Sequence, residues 1–323
     1  MFMTWTLAAS LAAAGAVAYL LTRWFSELLP RHGISGLDVH KVAKPVTAEM
    51  GGAAVAVSVM AGALVLVVGS DPLTPLFAAG LATVGLVALV GAVDDYWGVR
   101  QRYKPFLVAA AGAPLAFALA GRTSVAFPFI GTLNFGILYP VVVVPLALTT
   151  SANFSNMFAG FNGLEAGTSA LAIGTITALA ALRGSTETAY LGLVLLVPTL
   201  AFMKFNWYPS RIFPGDTGTL AWGAAIVTLG LMGRLEFAAV VVSMPAAIDF
   251  SLKMLSRNPF AQRSQFGDST LDASGHLVPS GYPALAHAMM KASPVTEREL
   301  VVSLLVTEAC FCALAAALTL VFL

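Results

Sequence analysis

Residues 75–93 read PLFAAGLATVGLVALVGAV, an apolar run without a charged residue. A helix needs about 20 apolar residues to cross the hydrocarbon of a bilayer, so this run predicts a transmembrane helix. The whole chain has the same character, because 58% of its 323 residues are hydrophobic, 10% are charged and the mean hydropathy is +0.85. A soluble domain carries about a quarter charged residues. The sequence therefore predicts an integral membrane protein.

Similar apolar runs recur along the chain and predict an all-α fold with about ten membrane spans, in a single domain over residues 1–323. The predicted spans are 4–22, 51–69, 75–93, 105–120, 136–150, 166–182, 188–203, 219–233, 235–252 and 300–322. Residues 1–21 have no basic segment before the apolar run, so we interpret them as a span and not as a signal peptide. Segment 122–135 alternates apolar and polar residues, which predicts a short β-hairpin on the outer face.

The basic residues are divided unevenly between the two sets of loops. The loops after even-numbered spans hold Arg122, Arg183 and Arg234, and the other 14 of the 17 Lys and Arg residues follow odd-numbered spans. By the positive-inside rule the basic set is cytoplasmic and both termini lie outside. The formal net charge of +1, without a basic stripe, argues against a nucleic-acid partner.

Asp94 and Asp95 follow the apolar run 75–93 directly. Adjacent acids at the end of an apolar helix are costly unless they meet water, a cation or a basic partner. One interpretation is a solvated helix end that basic residues of the next loop neutralise. The other is a site for magnesium and diphosphate, because carboxylates bind Mg²⁺ while Lys104 and its neighbours can bind phosphate oxygens.

A second polar segment, residues 153–167, reads NFSNMFAGFNGLEAG and combines three asparagines and one acid with glycines. The polar residues are Asn153, Asn156, Asn162 and Glu165. Glycine permits close backbone approach, and an Asn oxygen can coordinate a metal. A helix that begins near residue 164 would also present free N–H groups to an anion. A capped helix start is the alternative interpretation.

A third polar segment, residues 206–218, reads NWYPSRIFPGDTG and places Asp216 between glycines and after Phe213. The Asp216 carboxylate can face a ligand beside an aromatic ring, or it can cap the helix that begins near Thr219. Glu49 opens the second span, either as part of a ligand site or as an interfacial cap. All these segments lie in the cytoplasmic loop set, and their shared side favours one phosphate-handling metal site.

Five ordered segments carry a resemblance to a known family. They are DVHKVAKPVTAEMGG (38–52), VDDYWGVRQRYK (93–104), NFSNMFAGFNGLEAG (153–167), FNWYPSRIFPGDTG (205–218) and MMKASPVTEREL (289–300). Over nearly its full length the chain resembles the polyprenyl-phosphate N-acetylhexosamine-1-phosphate transferases of glycosyltransferase family 4. It is most similar to the archaeal and eukaryotic dolichyl-phosphate N-acetylglucosamine-1-phosphate transferases.

The resemblance implies a ten-helix homodimer in a prokaryotic, archaeal cell membrane, with a cytoplasmic active-site cleft. There, N-acetylglucosamine 1-phosphate would pass from UDP-N-acetylglucosamine to a polyprenyl, dolichyl-type phosphate, with release of UMP. This is the first step of lipid-linked oligosaccharide synthesis for N-glycosylation or surface glycans. Another UDP-N-acetylhexosamine donor or an undecaprenyl phosphate acceptor is the alternative.

The resemblance also implies roles for individual residues. Asp216 and Asn156 resemble the ligands of a Mg²⁺ ion, which Mn²⁺ could replace. Asp94, Asp95 and Lys104 resemble the catalytic acids and a diphosphate-binding lysine, and the sequence does not choose between the roles of the two acids. The implied substrate-binding residues are Glu49, Asn153, Asn162, Glu165, Phe213, Arg257 and Arg263, with Phe213 stacked on uracil and Asn162 bonded to uridine.

The chain also departs from the family pattern. Gly98 stands where many members have Asp or Asn, so one ligand or sugar contact is missing or comes from elsewhere. The last cytoplasmic loop has His276, and His287 near the final helix, but not the histidine cluster of the peptidoglycan branch. A muramyl-pentapeptide donor is therefore not expected. RNPFAQRSQ keeps Arg257 and Arg263 of the Arg-rich run in the eukaryotic branch.

A function from another class, a secondary transporter, is the rival hypothesis. It predicts acids near the bilayer midplane at broken helices, whereas the acids discussed above lie at span ends. Asp249, four residues before Lys253, indicates a helical ion pair near the boundary. A CDP-alcohol phosphotransferase would carry several acids at four-residue spacing on one helix, and this pattern is absent from the sequence.

Overall fold

The computed structural model describes residues 2–69, 74–255 and 269–322, with side chains from residue 5 onward. Its fold is mostly helical. The α-helices are α1 (Phe2–Leu28), α2 (Gly52–Gly69), α3 (Pro75–Trp97), α4 (Lys104–Ala111), α5 (Ala113–Ala118), α6 (Val144–Met157), α7 (Leu164–Leu182), α8 (Thr186–Asn206), α9 (Gly215–Met232), α10 (Glu236–Val242), α11 (Met244–Met254), α12 (Leu285–Ala292) and α13 (Glu297–Phe322). A 3₁₀ helix covers Leu29–His32, and a π-helical turn covers Tyr139–Val143.

In the described ranges, three antiparallel pairs of short strands accompany the helices. The strands are β1 (Ser35–Leu37), β2 (Val46–Ala48), β3 (Ser124–Phe127), β4 (Gly131–Asn134), β5 (Thr270–Leu271) and β6 (Leu277–Val278). β1 pairs with β2, β3 with β4 and β5 with β6. The β3–β4 pair falls in the segment whose alternating pattern predicts a hairpin, and its location on the outer face stays a prediction.

Six helices in the described ranges are long and apolar enough to cross a membrane, and the number is seven if the bent pair α10–α11 is one span. The six are Trp5–His32, Gly52–Gly69, Pro75–Trp97, Leu164–Leu182, Thr186–Asn206 and Glu297–Phe322. These helices agree with the predicted multi-pass membrane protein. The count of ten spans stays a prediction.

Three of the predicted spans are interrupted. Gly112 separates α4 from α5, a π-helical turn precedes α6, and α10 meets α11 at an angle of 57°. A proline lies within two residues of each break or inside it, at Pro114, Pro140 and Pro245. Proline lacks the N–H that a continuous helix uses, and its ring clashes with the preceding turn. Apolar length predicted these segments, but it does not show where they break.

Helix α9 lies in the middle of the bundle, packed against α2, α3, α6, α7, α8 and α10. Most of its side chains are buried, including Trp222, whose indole Nε1–H donates to Thr199 Oγ1 at 2.9 Å. Gly52 of α2 permits close contact, because a Cβ there would lie 2.1 Å from the backbone nitrogen of Gly218. The beginning of α9 is therefore held tightly between neighbouring helices.

Glu308 is an acid that lies inside a predicted span, away from its ends. It is buried in α13, and Cys312 Sγ donates a hydrogen bond to its Oε1 at 3.6 Å. The sequence analysis places the acids of the polar segments at the ends of spans. Glu308 does not belong to those segments and lies within a span. Cys312 is buried and Cys310 is exposed, and both cysteines are free.

Candidate active site

The acid pair at the end of α3 lies against the beginning of α9. Gly91 makes this contact possible, because a Cβ at that position would lie 2.4 Å from the carbonyl oxygen of Asp216. Real Cβ atoms do not approach backbone atoms that closely, so a larger residue at position 91 would force α3 away from α9. The packing of α3 on α9 brings Asp94 and Asp95 to the first turn of α9.

Asp95 caps α9 from a different helix. Its Oδ1 accepts the backbone N–H of Asp216 at 2.7 Å. Its Oδ2 accepts the backbone N–H of Thr217 at 2.9 Å and the Thr217 hydroxyl at 2.5 Å. The first N–H groups of a helix have no partner within it, and a carboxylate there also interacts favourably with the helix dipole. Both oxygens of Asp95 are therefore engaged in fixing the start of α9.

Asp94 has different partners. Its Oδ1 accepts the backbone N–H of Val99 at 2.6 Å, and its Oδ2 forms an ion pair with the Lys104 ammonium. The same ammonium pairs with Oδ2 of Asp216. The side chain of Lys104 is 1% exposed, whereas that of Asp216 is 27% exposed. One buried cation thus holds two carboxylates together, which offsets the cost of burying each charge alone.

A polar cavity of about 290 Å³ opens beside Asp216. Its lining includes Asn156, Gly160, Asn162, Glu165, Phe213, Asp216, Asp38 and His40. Both predicted metal ligands and the predicted uracil-stacking ring therefore face one cavity. Lys104 is buried behind Asp216, and Asp94 and Asp95 lie behind it as well. The structure brings together most of the residues that the sequence placed at the site.

The glycine loop before α7 is held from inside by Glu165. Its Oε1 accepts the backbone N–H of Gly160 at 2.8 Å, and its side chain is buried. Gly163, the residue before α7, has a φ of 84°, a conformation that favours glycine. Asn153 lies in α6, about one turn before Asn156. Its Nδ2 donates to the carbonyl oxygen of Thr149 at 2.8 Å. Glu165 thus shapes the loop, while Asn153 lines a neighbouring cavity.

The backbone around Phe213 is bonded to the segment that joins β2 to α2. The N–H of Phe213 donates to the carbonyl of Ala48 at 2.7 Å, and the N–H of Gly51 donates to the carbonyl of Phe213 at 2.8 Å. Glu49 lies between these bonds and is half-buried. Burial raises the pKa of Glu49, and the nearby Asp95 carboxylate raises it further.

Two further cavities continue from the polar one. A cavity of about 610 Å³ shares Asn156, Ala159 and Gly160 with it and lies between α6 and α11. A third cavity, of about 340 Å³, shares Thr150 and Phe154 with the second. The third cavity is lined mainly by apolar side chains of α6, α9, α10 and the β3–β4 hairpin. The three cavities therefore adjoin one another in sequence, and we call the second and third together the apolar path.

Several residues near the site were not singled out from the sequence. Asp38, His40 and Glu297 bring ligand atoms within 4.8 Å of one another, and Lys41 pairs with both acids. The sequence did contain an indication of their importance, because these residues lie in the first and last of the five family-like segments. Thr217 was missed because its bond to Asp95 joins distant parts of the chain. Arg257 and Arg263 lie outside the described residues.

Comparison with known proteins identifies the family. A Saccharolobus solfataricus protein with the provisional name UDP-N-acetylglucosamine–dolichyl-phosphate N-acetylglucosaminephosphotransferase is 32% identical over 303 residues. The alignment covers 93% of this chain and 92% of that relative. The pattern of glycosyl transferase family 4 matches residues 77–234. The chain belongs to glycosyl transferase family 4. It is an enzyme of the phosphotransferase type, as the sequence predicted.

Two further relatives match a smaller part of the chain. The Schizosaccharomyces pombe UDP-N-acetylglucosamine–dolichyl-phosphate N-acetylglucosaminephosphotransferase is 30% identical over 200 residues, which are 55% of this chain and 44% of that protein. A phospho-N-acetylmuramoyl-pentapeptide-transferase of Shouchella clausii is 32% identical over 214 residues, or 62% of this chain and 65% of that protein. Both relatives are thus similar to this chain over more than half of its length.

Proposed function

We propose that this enzyme transfers N-acetylglucosamine 1-phosphate from UDP-N-acetylglucosamine to a dolichyl-type polyprenyl phosphate and releases UMP. The product would be the first lipid-linked intermediate for N-glycosylation or surface glycans. One observation carries the proposal: the polar cavity beside Asp216 joins the apolar path at Asn156 and Gly160. A water-soluble donor and a lipid acceptor need such a junction in order to react.

The polar cavity offers groups for each part of a UDP-sugar. The Phe213 ring can stack on a nucleobase, and the Asn162 amide can form hydrogen bonds with its edge. Lys104 supplies a cation beside Asp216, where a diphosphate would lie. The cavity volume of about 290 Å³ is near the lower end of common ligand sites, and the adjoining cavity of about 610 Å³ extends it.

The apolar path suits the prenyl chain of the acceptor. The apolar cavity is lined by Val143, Ala147, Val227, Leu231 and Val240, among others. Hydrocarbon in this path would leave its phosphate near Asn156, where the cavities meet. A phosphate monoester has a second pKa of about 6, so it is largely ionised at neutral pH and needs little help from a base.

The proposed reaction forms one bond and breaks one bond. An oxygen of the lipid phosphate attacks the sugar-bearing phosphorus of the donor, and the bond between the two donor phosphates breaks to release UMP. Two anions must be held together while charge moves to the departing phosphate. The Lys104 ammonium, held by Asp94 and Asp216, is placed to stabilise that charge.

Asp216 and Asn156 fit the requirements of a magnesium site. Both line the polar cavity, and both offer the hard oxygen ligands that Mg²⁺ prefers. Mg²⁺ is commonly held by one or two carboxylates together with substrate phosphates, so two protein ligands suffice. When bound, the ion would neutralise phosphate charge. Magnesium dependence, with Mn²⁺ as a substitute, is thus part of the proposal.

The contacts of the acid pair support separate roles for its two members. Asp94 shares Lys104 with Asp216, so we infer that it acts on the reacting phosphates through this charged group. Asp95 has both oxygens bonded to the first turn of α9, so we infer that it positions Asp216. The sequence predicted a catalytic role for both acids.

The contacts among the loops support a cytoplasmic active site. Lys41 pairs with Glu297, Lys104 with Asp216, and Lys253 donates to the carbonyl of Met157. The basic loops therefore meet at one end of the helix bundle, as a shared cytoplasmic side requires. Ten spans, a single domain, outside termini and an archaeal cell membrane belong to the same proposal. A homodimer is expected from the family resemblance.

A transfer assay tests the function. Purified enzyme would receive dolichyl phosphate, magnesium and one of several UDP-sugars, and the released nucleotide and the lipid product would be identified by mass spectrometry. We expect UMP and a lipid diphosphate that carries N-acetylglucosamine. Release of UDP would indicate glycosyl transfer instead. Efficient use of another UDP-N-acetylhexosamine, of undecaprenyl phosphate or of the muramyl-pentapeptide donor would redirect the substrate assignment.

A further inference from the structure

A closed ring of polar contacts joins four residues from three distant segments. The ring consists of Asp38, Lys41, Asn162 and Glu297. Lys41 Nζ lies 3.0 Å from Asp38 Oδ2 and also pairs with Glu297 Oε2. Asn162 completes the ring, because its Nδ2 donates to Asp38 Oδ2 at 2.9 Å and its backbone N–H donates to Glu297 Oε1 at 2.8 Å. The two acids and Asn162 are each 3% exposed.

The ring fixes the orientation of the Asn162 amide. An ionised carboxylate can only accept hydrogen bonds, so the NH₂ group of Asn162 must face Asp38. The Lys41 ammonium beside Asp38 stabilises the charge of that carboxylate. If the amide turned over, Asn162 Oδ1 would face a carboxylate oxygen and a buried hydrogen bond would be lost. In the described part of the chain, Asn162 Oδ1 accepts no hydrogen bond, and Asn162 lines the polar cavity.

A fixed amide distinguishes between pyrimidine bases. Uracil has an N–H at position 3, which an amide oxygen can accept. Cytosine has a bare nitrogen at the same position, and it would need the amide in the opposite orientation. A site with fixed buried polar groups rejects a ligand that leaves those groups unpaired. The Asn162 amide, as Asp38 holds it, matches uracil.

We propose that Asp38, Lys41 and Glu297 form a positioning network that fixes the Asn162 amide and so selects uracil nucleotides over cytosine nucleotides. The proposal rests on the proposed function, because it takes the polar cavity as the nucleotide site. Asp38 and Glu297 also approach His40 closely enough to share a metal ion. The Lys41 ammonium already pairs with both carboxylates, so the cluster functions as an ion-pair network.

The test compares UMP and CMP binding to the purified full-length enzyme by calorimetry. For the wild type we expect UMP to bind at least about tenfold more tightly than CMP, the effect of one unmatched buried hydrogen bond. In Asp38→Asn the new amide can donate to Asn162 Oδ1, so the Asn162 amide can turn over. The ratio of CMP to UMP dissociation constants should then fall by about tenfold.

Glu297→Gln should give a different result. The Gln oxygen can still accept the Asn162 backbone N–H, but the pairing with Lys41 weakens. UMP should bind severalfold more weakly while the preference over CMP remains, because Asp38 still orients the amide. Glu299→Gln is the matched control, since Glu299 is exposed on the same helix turn and bonds to Thr296. It should change neither quantity.

A ligand variant covers the case in which Asp38→Asn does not fold. N3-methyl-UMP cannot donate from position 3, so it should bind the wild type at least about tenfold more weakly than UMP. Equal binding would overturn the amide orientation, and an unchanged UMP preference in folded Asp38→Asn would overturn the network. A wild type that binds neither nucleotide would instead contradict the proposed function. Transfer activity, measured separately, keeps the two failures distinguishable.

Discussion

Asp95 Oδ2 accepts two hydrogen bonds from Thr217, one from its backbone N–H at 2.9 Å and one from its hydroxyl at 2.5 Å. The neighbouring Asp94 instead pairs with Lys104. Two adjacent acids that look alike in the sequence therefore have different surroundings. One holds the helix that presents Asp216, and the other belongs to the charged group beside the polar cavity.

Asp95→Asn should destabilise the protein. An amide has one acceptor oxygen where the carboxylate has two, so at least one donor of the first turn of α9 would lose its partner. The expected cost is about 1 to 3 kcal/mol, read as a lower melting temperature in detergent. Thr217→Val should cost less, because it removes the hydroxyl but keeps the backbone N–H.

The double variant provides the control for this interpretation. Because the two residues share one set of bonds, the effects of Asp95→Asn and Thr217→Val should not add. Strict additivity would mean that the contact does not stabilise the start of α9.

Asp94→Asn should reduce the transfer rate more than Asp95→Asn does at equal folded fraction.

Asp216→Ala should abolish transfer. The change removes the carboxylate that pairs with Lys104 and that we propose as a magnesium ligand. Wild-type activity should likewise disappear in excess EDTA and return on addition of Mg²⁺. Full turnover in EDTA would contradict the metal proposal. Asp272→Asn, in an exposed turn, is a control variant that should retain activity.

Phe213→Ala should weaken donor binding. Loss of a base-stacking ring costs about 1 to 3 kcal/mol, so the KM for the UDP-sugar should rise while kcat changes less. The backbone of Phe213 makes the bonds to Ala48 and Gly51, and these remain in the variant. Calorimetry measures the affinity for UDP directly, and an unchanged affinity would contradict the stacking role of Phe213.

Ala147→Trp should obstruct the apolar path that we propose for the acceptor. Ala147 lines the apolar cavity, and an indole there would occupy space that a prenyl chain needs. We expect a higher KM for dolichyl phosphate and an unchanged KM for the UDP-sugar. Ala110→Trp serves as the control, because Ala110 is exposed on α4. Equal effects of both variants would indicate general disturbance of the fold and not a block of this path.

Glu49→Gln should make stability less dependent on pH. Burial, with the Asp95 carboxylate adding to it, raises the pKa of Glu49 in the folded state. Such a group stabilises the fold below its unfolded pKa, and this contribution is lost as pH rises through the folded pKa. The neutral Gln avoids that loss, so the variant should melt at a higher temperature than the wild type at pH 7.5.

The difference between the two proteins should shrink as the pH is lowered toward the unfolded pKa of a glutamate, about 4.3. Melting curves without metal or nucleotide measure the effect. Glu27→Gln is the control, since Glu27 is exposed on α1. A difference that stays constant with pH would mean that the Glu49 carboxyl group is not the cause.

The sequence by itself determined the class of protein and several of the residues that line the polar cavity. The membrane class follows from composition, because apolar side chains along 75–93 and similar runs are favourable only in lipid or a buried core. Asp216, Asn156 and Phe213 could be named from their polar segments, and they do line one cavity. Such residues stand out because polar groups are costly in a membrane unless they have a function or a partner.

The tertiary structure alone decided which groups touch. Asp94 and Asp95 differ only in direction around α3, and the packing of α3 on α9 gives one to Lys104 and the other to Thr217. Lys41 meets Glu297 across a separation of 256 residues. Hydrophobicity and turn propensity act over a few residues, whereas these pairings depend on how separate helices pack. That packing is set by many weak contacts together, and no single segment encodes it.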